Sequence, residues 1–87
     1  MKYKIIIAEQ AVKALGKLPG KARRQISEKI DELADNPRMA GAQKLQGADL
    51  YRIRSGDYRV IYRIKDNVLI ILVVRIGHRK DIYRNLS

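Results

Sequence analysis

Seven residues in a row, Val68 to Val74, carry no polar side chain, and they stand near the end of a chain of 87 residues. A run this short cannot cross a membrane, which takes about 18–20 apolar residues. Its content of valine and isoleucine favours a strand. Because polar residues do not alternate through it, the run predicts a central strand covered on both faces. It is expected to end at Gly77. The rest of the chain must supply the neighbouring strands and the covering layer.

Neighbours are easy to find upstream. Leu50 to Arg54 alternates, Tyr51 and Ile53 against Arg52 and Arg54. Tyr58 to Ile64 alternates again, with Tyr58, Val60, Tyr62 and Ile64 on one face and Arg59, Ile61 and Arg63 on the other. Between them Ser55-Gly56 suits a two-residue hairpin turn. Closing the hairpin there predicts Ile53 opposite Tyr58, Tyr51 opposite Val60 and Arg52 opposite Arg59. Asp66-Asn67 marks the turn into the apolar strand. At the other end of the chain, Lys2 to Ala8 reads as an isoleucine-rich strand. Ala8, Ala11, Val12, Leu15 and Leu18 then share a helical face that Gly16, Pro19 and Gly20 bring to an end. Ala22, Ile26, Ile30, Leu33 and Ala34 form a second such face, stopped at Asn36-Pro37. Residues 38–49 read as a loop. The expected fold is a single α+β domain over residues 1–87 in the order β-α-α-β-β-β. A helical hairpin packs on a mainly antiparallel sheet, and a short basic C-terminal tail or helix follows from His78.

Charge narrows the partners. Nineteen Lys and Arg against nine Asp and Glu give a net +10, which should attract polyanions. In residues 44–84 arginines outnumber lysines seven to three, and the planar guanidinium fork suits phosphate. Several chemistries drop out. With no cysteine and one histidine there is no recognisable metal-ligand cluster, and no glycine-rich loop joins a strand to a helix. Neither a nucleophile elbow nor a paired-carboxylate site is recognisable, because the acidic residues of the second half fall mainly at turns. No signal peptide is expected, since Lys2-Tyr3-Lys4 leads into only Ile5 to Ala8 before Glu9. What remains is the arginine face of the hairpin, where like charges opposite one another are destabilising unless an anion intervenes. The same residues also fit an ordinary solvated face of an antiparallel sheet.

Three segments then carry a resemblance. Leu45-Gln46-Gly47, the run from Tyr51 to Tyr62, and the run from Arg75 to Tyr83 resemble the RelE toxins of the RelE/ParE superfamily of toxin–antitoxin systems. The preceding strand and helical hairpin match the family's order. The resemblance implies a ribosome-dependent mRNA interferase, in which the RNA's own 2′-hydroxyl attacks the adjacent phosphate with no metal or other cofactor. It also implies site residues: Arg52, Arg54, Arg59, Arg79 and Tyr83 match the family's functional positions, with Arg59 and Arg79 suited to the phosphate and Tyr83 to a base or sugar. Lys44, Arg63, Arg75, Lys80 and Arg84 are the expected further RNA contacts. Arg52 and Arg54 depart from the best-known members, which carry lysine there. Arginine effectively cannot give up its proton, so His78 is the expected local substitute for acid–base work. The implied partners are a RelB-like antitoxin, the ribosomal A site and mRNA, with operator DNA reached only through the antitoxin complex. No membrane is involved and the implied location is the cytoplasm. Two other readings stay open: a ParE-like inhibitor of DNA gyrase, and a basic nucleic-acid-binding module without catalysis.

Overall fold

The computed structural model describes residues 2–47 and 49–78. The elements run β1 Lys4–Ile7, α1 Glu9–Gly16, α2 Gly20–Asp35, β2 Gln43–Lys44, β3 Tyr51–Ser55, β4 Tyr58–Lys65 and β5 Ile70–His78. The strands form one sheet in the order β1-β5-β4-β3-β2, parallel between β1 and β5 and antiparallel elsewhere. The α+β architecture is the expected one, with one strand added: β2, inside the stretch read as a loop.

Both helices cover the same face. Ile26, Ile30 and Leu33 of α2 and Ala11 of α1 join Ile53, Val60, Tyr62, Ile71, Val73 and Ile76 of the sheet in one buried cluster. In α1 the inward stripe is Ala11, Ala14 and Leu15, spaced i, i+3 and i+4 as a helix requires, and Leu18 just past the helix end packs on the same cluster. Val12 was expected on that stripe but is 52% exposed, because one residue along a helix turns the side chain by about 100°. Ala34, also buried, ends the α2 stripe, and Pro37 prevents the helix from continuing past Asn36.

The apolar run does occupy the interior of the sheet, between β1 and β4. Its strand begins at Ile70 rather than Val68, because Leu69 takes φ +54 within the β4–β5 turn. Val68, in that turn, is 53% exposed. Nor are both faces buried alike: Ile71 and Val73 are sealed under the helices, whereas Ile70 and Leu72 on the other face are half-buried. A β-bulge then changes the strand's phase. Ile61 pairs with Arg75 and Tyr62 with Val73, leaving Val74 as the extra residue. Strict alternation from Val73 would aim Arg75 at the helices. The bulge sends Ile76 inward and Arg75 outward, and the Val74 carbonyl accepts a hydrogen bond from Gln10 Nε2 of α1 at 3.0 Å.

A polar clasp ties the end of the sheet that holds the β4–β5 turn. Tyr3 donates its hydroxyl to Asp66 Oδ1 at 2.6 Å, and Arg38 donates to both Asp66 oxygens at 3.3 and 2.8 Å. The guanidinium of Arg38 also lies 5.7 Å from the Tyr51 ring centre. Tyr51 stacks on Tyr62 at 5.8 Å. The buried Tyr62 hydroxyl donates to the Pro37 carbonyl at 2.7 Å. Hydrogen bonds from Arg38 and then Tyr3 hold the Asp66 carboxyl down at about 2. Burial pushes the Tyr62 phenol up to about 12, with a smaller push from Tyr51.

Candidate nucleic-acid interface

On the sheet face turned away from the helices, the strand register sets out rows of side chains. The nearest row to the β3–β4 turn is Arg54, Arg59 and Gly77. Next come Gln43, Arg52, Ile61 and Arg75, followed by Arg63, Leu72 and Ile6. These assignments follow from period-two alternation, since Ile53, Val60 and Ile76 belong to the helix-side core.

The observed register corrects the expected one. Ser55 pairs with Tyr58, Ile53 with Val60 and Tyr51 with Tyr62, so Arg54, not Arg52, stands opposite Arg59. The reason lies in the turn: Gly56 and Asp57 are its two central residues, with Gly56 at φ +60. Glycine at the first central position is the signature of a type II′ hairpin. The shift moves partners along the strand but keeps every residue on its expected face.

Arg59 is the unusual member of the cluster. It is only 8% exposed, and its buried Nε finds no hydrogen-bond acceptor among the described residues. A buried charged donor left without an acceptor is expensive, and its direct cross-strand neighbour on this face is another cation, Arg54. On β5 the partner of Arg59 is Gly77, so no side chain projects toward it from that strand. One row along, Ile61 is fully buried yet stands apart from the helix-side cluster. Its flanking residues Arg52 and Arg75 are half-buried, which fits aliphatic stems laid over it. Arg52 donates from a terminal nitrogen to Gln43 Oε1. The cluster reaches the sheet edge as well. Arg54 and Lys29 line, together with Glu28 and Glu32, a cleft of ≈ 440 Å³ between α2 and the β3–β4 turn, and Arg52, Arg54 and Lys29 line an adjoining one of ≈ 390 Å³.

Of the residues singled out from sequence, Arg52, Arg54, Arg59, Arg63 and Arg75 thus share one face. His78 does not join them. It pairs with Tyr58 on the helix side of the sheet, ring edge to face at 5.8 Å. Lys44 pairs with Tyr51 and so also points away from the arginines. Arg79, Lys80, Tyr83 and Arg84 lie outside the described residues. Gln43 and Lys29, not singled out from sequence, also border these arginines. Lys29 is one of many helix lysines, paired with Glu32 at 3.6 Å, and nothing in its local sequence sets it apart. For Gln43 the faint signal is its position between Gly41 and Gly47, both at positive φ, which turn the chain into and out of the two-residue β2.

Comparison with known proteins finds toxins of toxin–antitoxin systems. Residues 5–83 match the family described as ParE toxin of type II toxin–antitoxin system, parDE. The chain is 35% identical to the mRNA interferase toxin RelE of Escherichia coli strain K12, over 92% of this chain and 86% of that protein. It is 31% identical to toxin RelG of Mycobacterium tuberculosis, over 97% and 99% respectively. Among solved structures, the archaeal RelE–RelB complex from Pyrococcus horikoshii matches with TM-score 0.82 and 37% identity, covering 93% of this chain and 99% of that one. The intact E. coli RelBE toxin–antitoxin complex matches with TM-score 0.77 and 32% identity, covering 87% and 95%.

Proposed function

The chain belongs to the RelE/ParE family of type II toxin–antitoxin toxins, and from that premise we propose that it is a ribosome-dependent mRNA interferase. The observation that carries this reading is Arg59: a buried side chain whose Nε has no acceptor among the described residues, facing Arg54 across the strand pair. A phosphodiester supplies what both lack. It brings acceptor oxygens for Arg59 and negative charge between the two cations. The relative named an mRNA interferase supports the same reaction class.

In the proposed reaction a 2′-oxygen loses its proton and bonds to the adjacent phosphorus. The bond from phosphorus to the 5′-oxygen breaks, and that oxygen takes up a proton. The products are a cyclic phosphate and a free 5′-hydroxyl. Negative charge accumulates on the phosphate oxygens at the transition state, so fixed positive donors aimed there lower the barrier. Arg59 and Arg54 act on the scissile phosphate, with Arg52 and Arg75 in the next row and Arg63 beyond them holding the flanking backbone. Arg79 and Tyr83 enter by resemblance, Arg79 at the phosphate and Tyr83 at a base or sugar. The face of the sheet on which His78 lies argues against direct proton transfer from it, leaving charge stabilisation as the main contribution of the described residues. The 2′-hydroxyl requirement makes DNA inert.

The reading extends to partners. The solved relatives include complexes with RelB, and a RelB-like acidic antitoxin is the proposed partner here, carrying any operator contacts. The ribosome as target puts the toxin in the cytoplasm. Among the described residues no helix is long and apolar enough to cross a membrane.

A second reading has one observation behind it, the match to the family described as ParE toxin; a ParE-like toxin would inhibit DNA gyrase without cutting RNA. Incubating the protein with programmed ribosomes and mapping mRNA ends tests the two. Cleavage within the A-site codon supports the interferase. Intact mRNA together with blocked gyrase supercoiling would replace it with the gyrase reading, and intact mRNA with unaffected gyrase would leave a basic binding module.

A further inference from the structure

The loop between α2 and β3 makes an odd excursion. It turns at Gly41, φ +92, pairs two residues with β3, and turns away again at Gly47, φ +77. Two residues of ladder contribute little to holding a sheet together. What the excursion does accomplish is to set Gln43 beside Arg52 in the register, with the Gln43 amide oxygen accepting from the Arg52 guanidinium. The pair sits at the exposed edge of the arginine face, in the row of Ile61 and Arg75.

We propose that Gln43 is a positioning residue that orients Arg52 toward the RNA backbone; this rests on the interferase reading above. The chemistry of the pair is specific. A guanidinium has five donors in a rigid plane, so giving one hydrogen to a fixed acceptor aims the rest of the fork. A carboxylate in that place would orient Arg52 equally well but cancel its charge. A neutral amide oxygen restricts the fork without itself neutralising the charge. The same logic explains why an arginine at this position needs a partner that a lysine would not. An ammonium is a point charge with rotating donors, while a planar fork is useful only when turned the right way.

The test compares Gln43→Ala, Gln43→Glu, Arg52→Ala and the double variant Gln43→Ala/Arg52→Ala. Each is measured by single-turnover cleavage of mRNA on programmed ribosomes and by its thermal unfolding midpoint. Gln43→Ala should slow cleavage about tenfold, the scale of one hydrogen bond to a charged group, with little change in midpoint. Gln43→Glu, which keeps the orientation but neutralises the charge, should be slower still. The double variant should be no slower than Arg52→Ala alone, since Gln43 acts only through Arg52. Wild-type cleavage by both Gln43 variants, or a Gln43→Ala loss that multiplies with that of Arg52→Ala, overturns the inference while leaving the interferase intact. Equal losses in Gln43→Ala and Gln43→Glu that track a fallen midpoint reduce Gln43 to a structural residue. Should Arg52→Ala itself cleave at the wild-type rate, Arg52 leaves the site and the inference goes with it.

Discussion

Arg38 and Arg59 stand near opposite ends of β4, and their surroundings could hardly differ more. Arg38 is half-exposed and fully provided for: a bidentate carboxylate from Asp66 and a tyrosine ring beside it. Arg59 is buried, has no acceptor for Nε among the described residues, and stands across from a second arginine. At the clasp, cations and anions are matched and the side chains tie together β1, the loop after α2 and the β4–β5 turn. At the other end, Arg54 and Arg59 face each other and the buried Arg59 Nε has no acceptor among the described residues. The contrast separates a structural end of the sheet from the end proposed to meet RNA, although arginine stands at both.

The largest effect should come from breaking the functional end. Arg59→Met removes the buried guanidinium but keeps an unbranched chain of similar length. Single-turnover cleavage on programmed ribosomes should fall by about 10²–10³, the scale of losing one preorganised donor to the reacting centre. Denaturant unfolding should show the variant about 1–2 kcal/mol more stable, because an unsatisfied buried donor has gone. Loss of stability with full activity would reverse the two roles. Next in size is the aromatic link behind the clasp. Tyr62→Phe should cost about 1–2 kcal/mol, since it strips the Pro37 carbonyl of its buried donor, and cleavage should be unchanged.

The clasp also sets the acid limb of stability. The folded pKa of Asp66, about 2, lies below its ordinary 3.8, so its contribution is complete above that ordinary value. It fades as pH falls from 3.8 toward 2. Asp66→Asn should therefore unfold with a flatter dependence on pH in that window, and the difference should shrink in high salt because the pair is exposed. Tyr62, raised from 10.0 to about 12, acts at the other extreme. Its contribution is present below 10 and lost as pH climbs toward 12, and tyrosinate absorbance should appear late and together with unfolding. The smallest effect is expected at His78. His78→Gln should slow cleavage by no more than about threefold; a loss as large as that of Arg59→Met would draw the imidazole into the reaction.

The faces of the hairpin were legible in sequence because a period of two survives any shift that preserves parity. Which arginine faces which was not: it depends on whether Ser55-Gly56 or Gly56-Asp57 closes the turn, and both dipeptides contain the glycine. The outward placement of Arg75 was harder still. It depends on a bulge at Val74, and an unbroken run of valine, leucine and isoleucine gives no sign of where its phase changes. His78 illustrates the same blindness from the other side, since adding one residue to β5 moves it across the sheet. Strand β2 is too short to carry any period. The helical stripes, by contrast, were legible at Ala11, Leu15, Ile26, Ile30, Leu33 and Ala34 but not at Ala8, Val12 and Ala22, and the longer repetition of α2, four turns against two in α1, served it better.

The central claim is that guanidiniums from β3 and β4 gather about one scissile phosphate, with further arginines of the same face on the flanking backbone. It is tested most directly by determining the structure of this toxin on a programmed ribosome whose A-site codon carries a 2′-O-methyl group and cannot react. The account predicts Arg59 Nε within hydrogen-bond distance of a non-bridging oxygen of that phosphate, with Arg54 on the same group and Arg52 on a neighbouring one. An mRNA path across the helical hairpin, with Arg59 making no contact to phosphate, would contradict it.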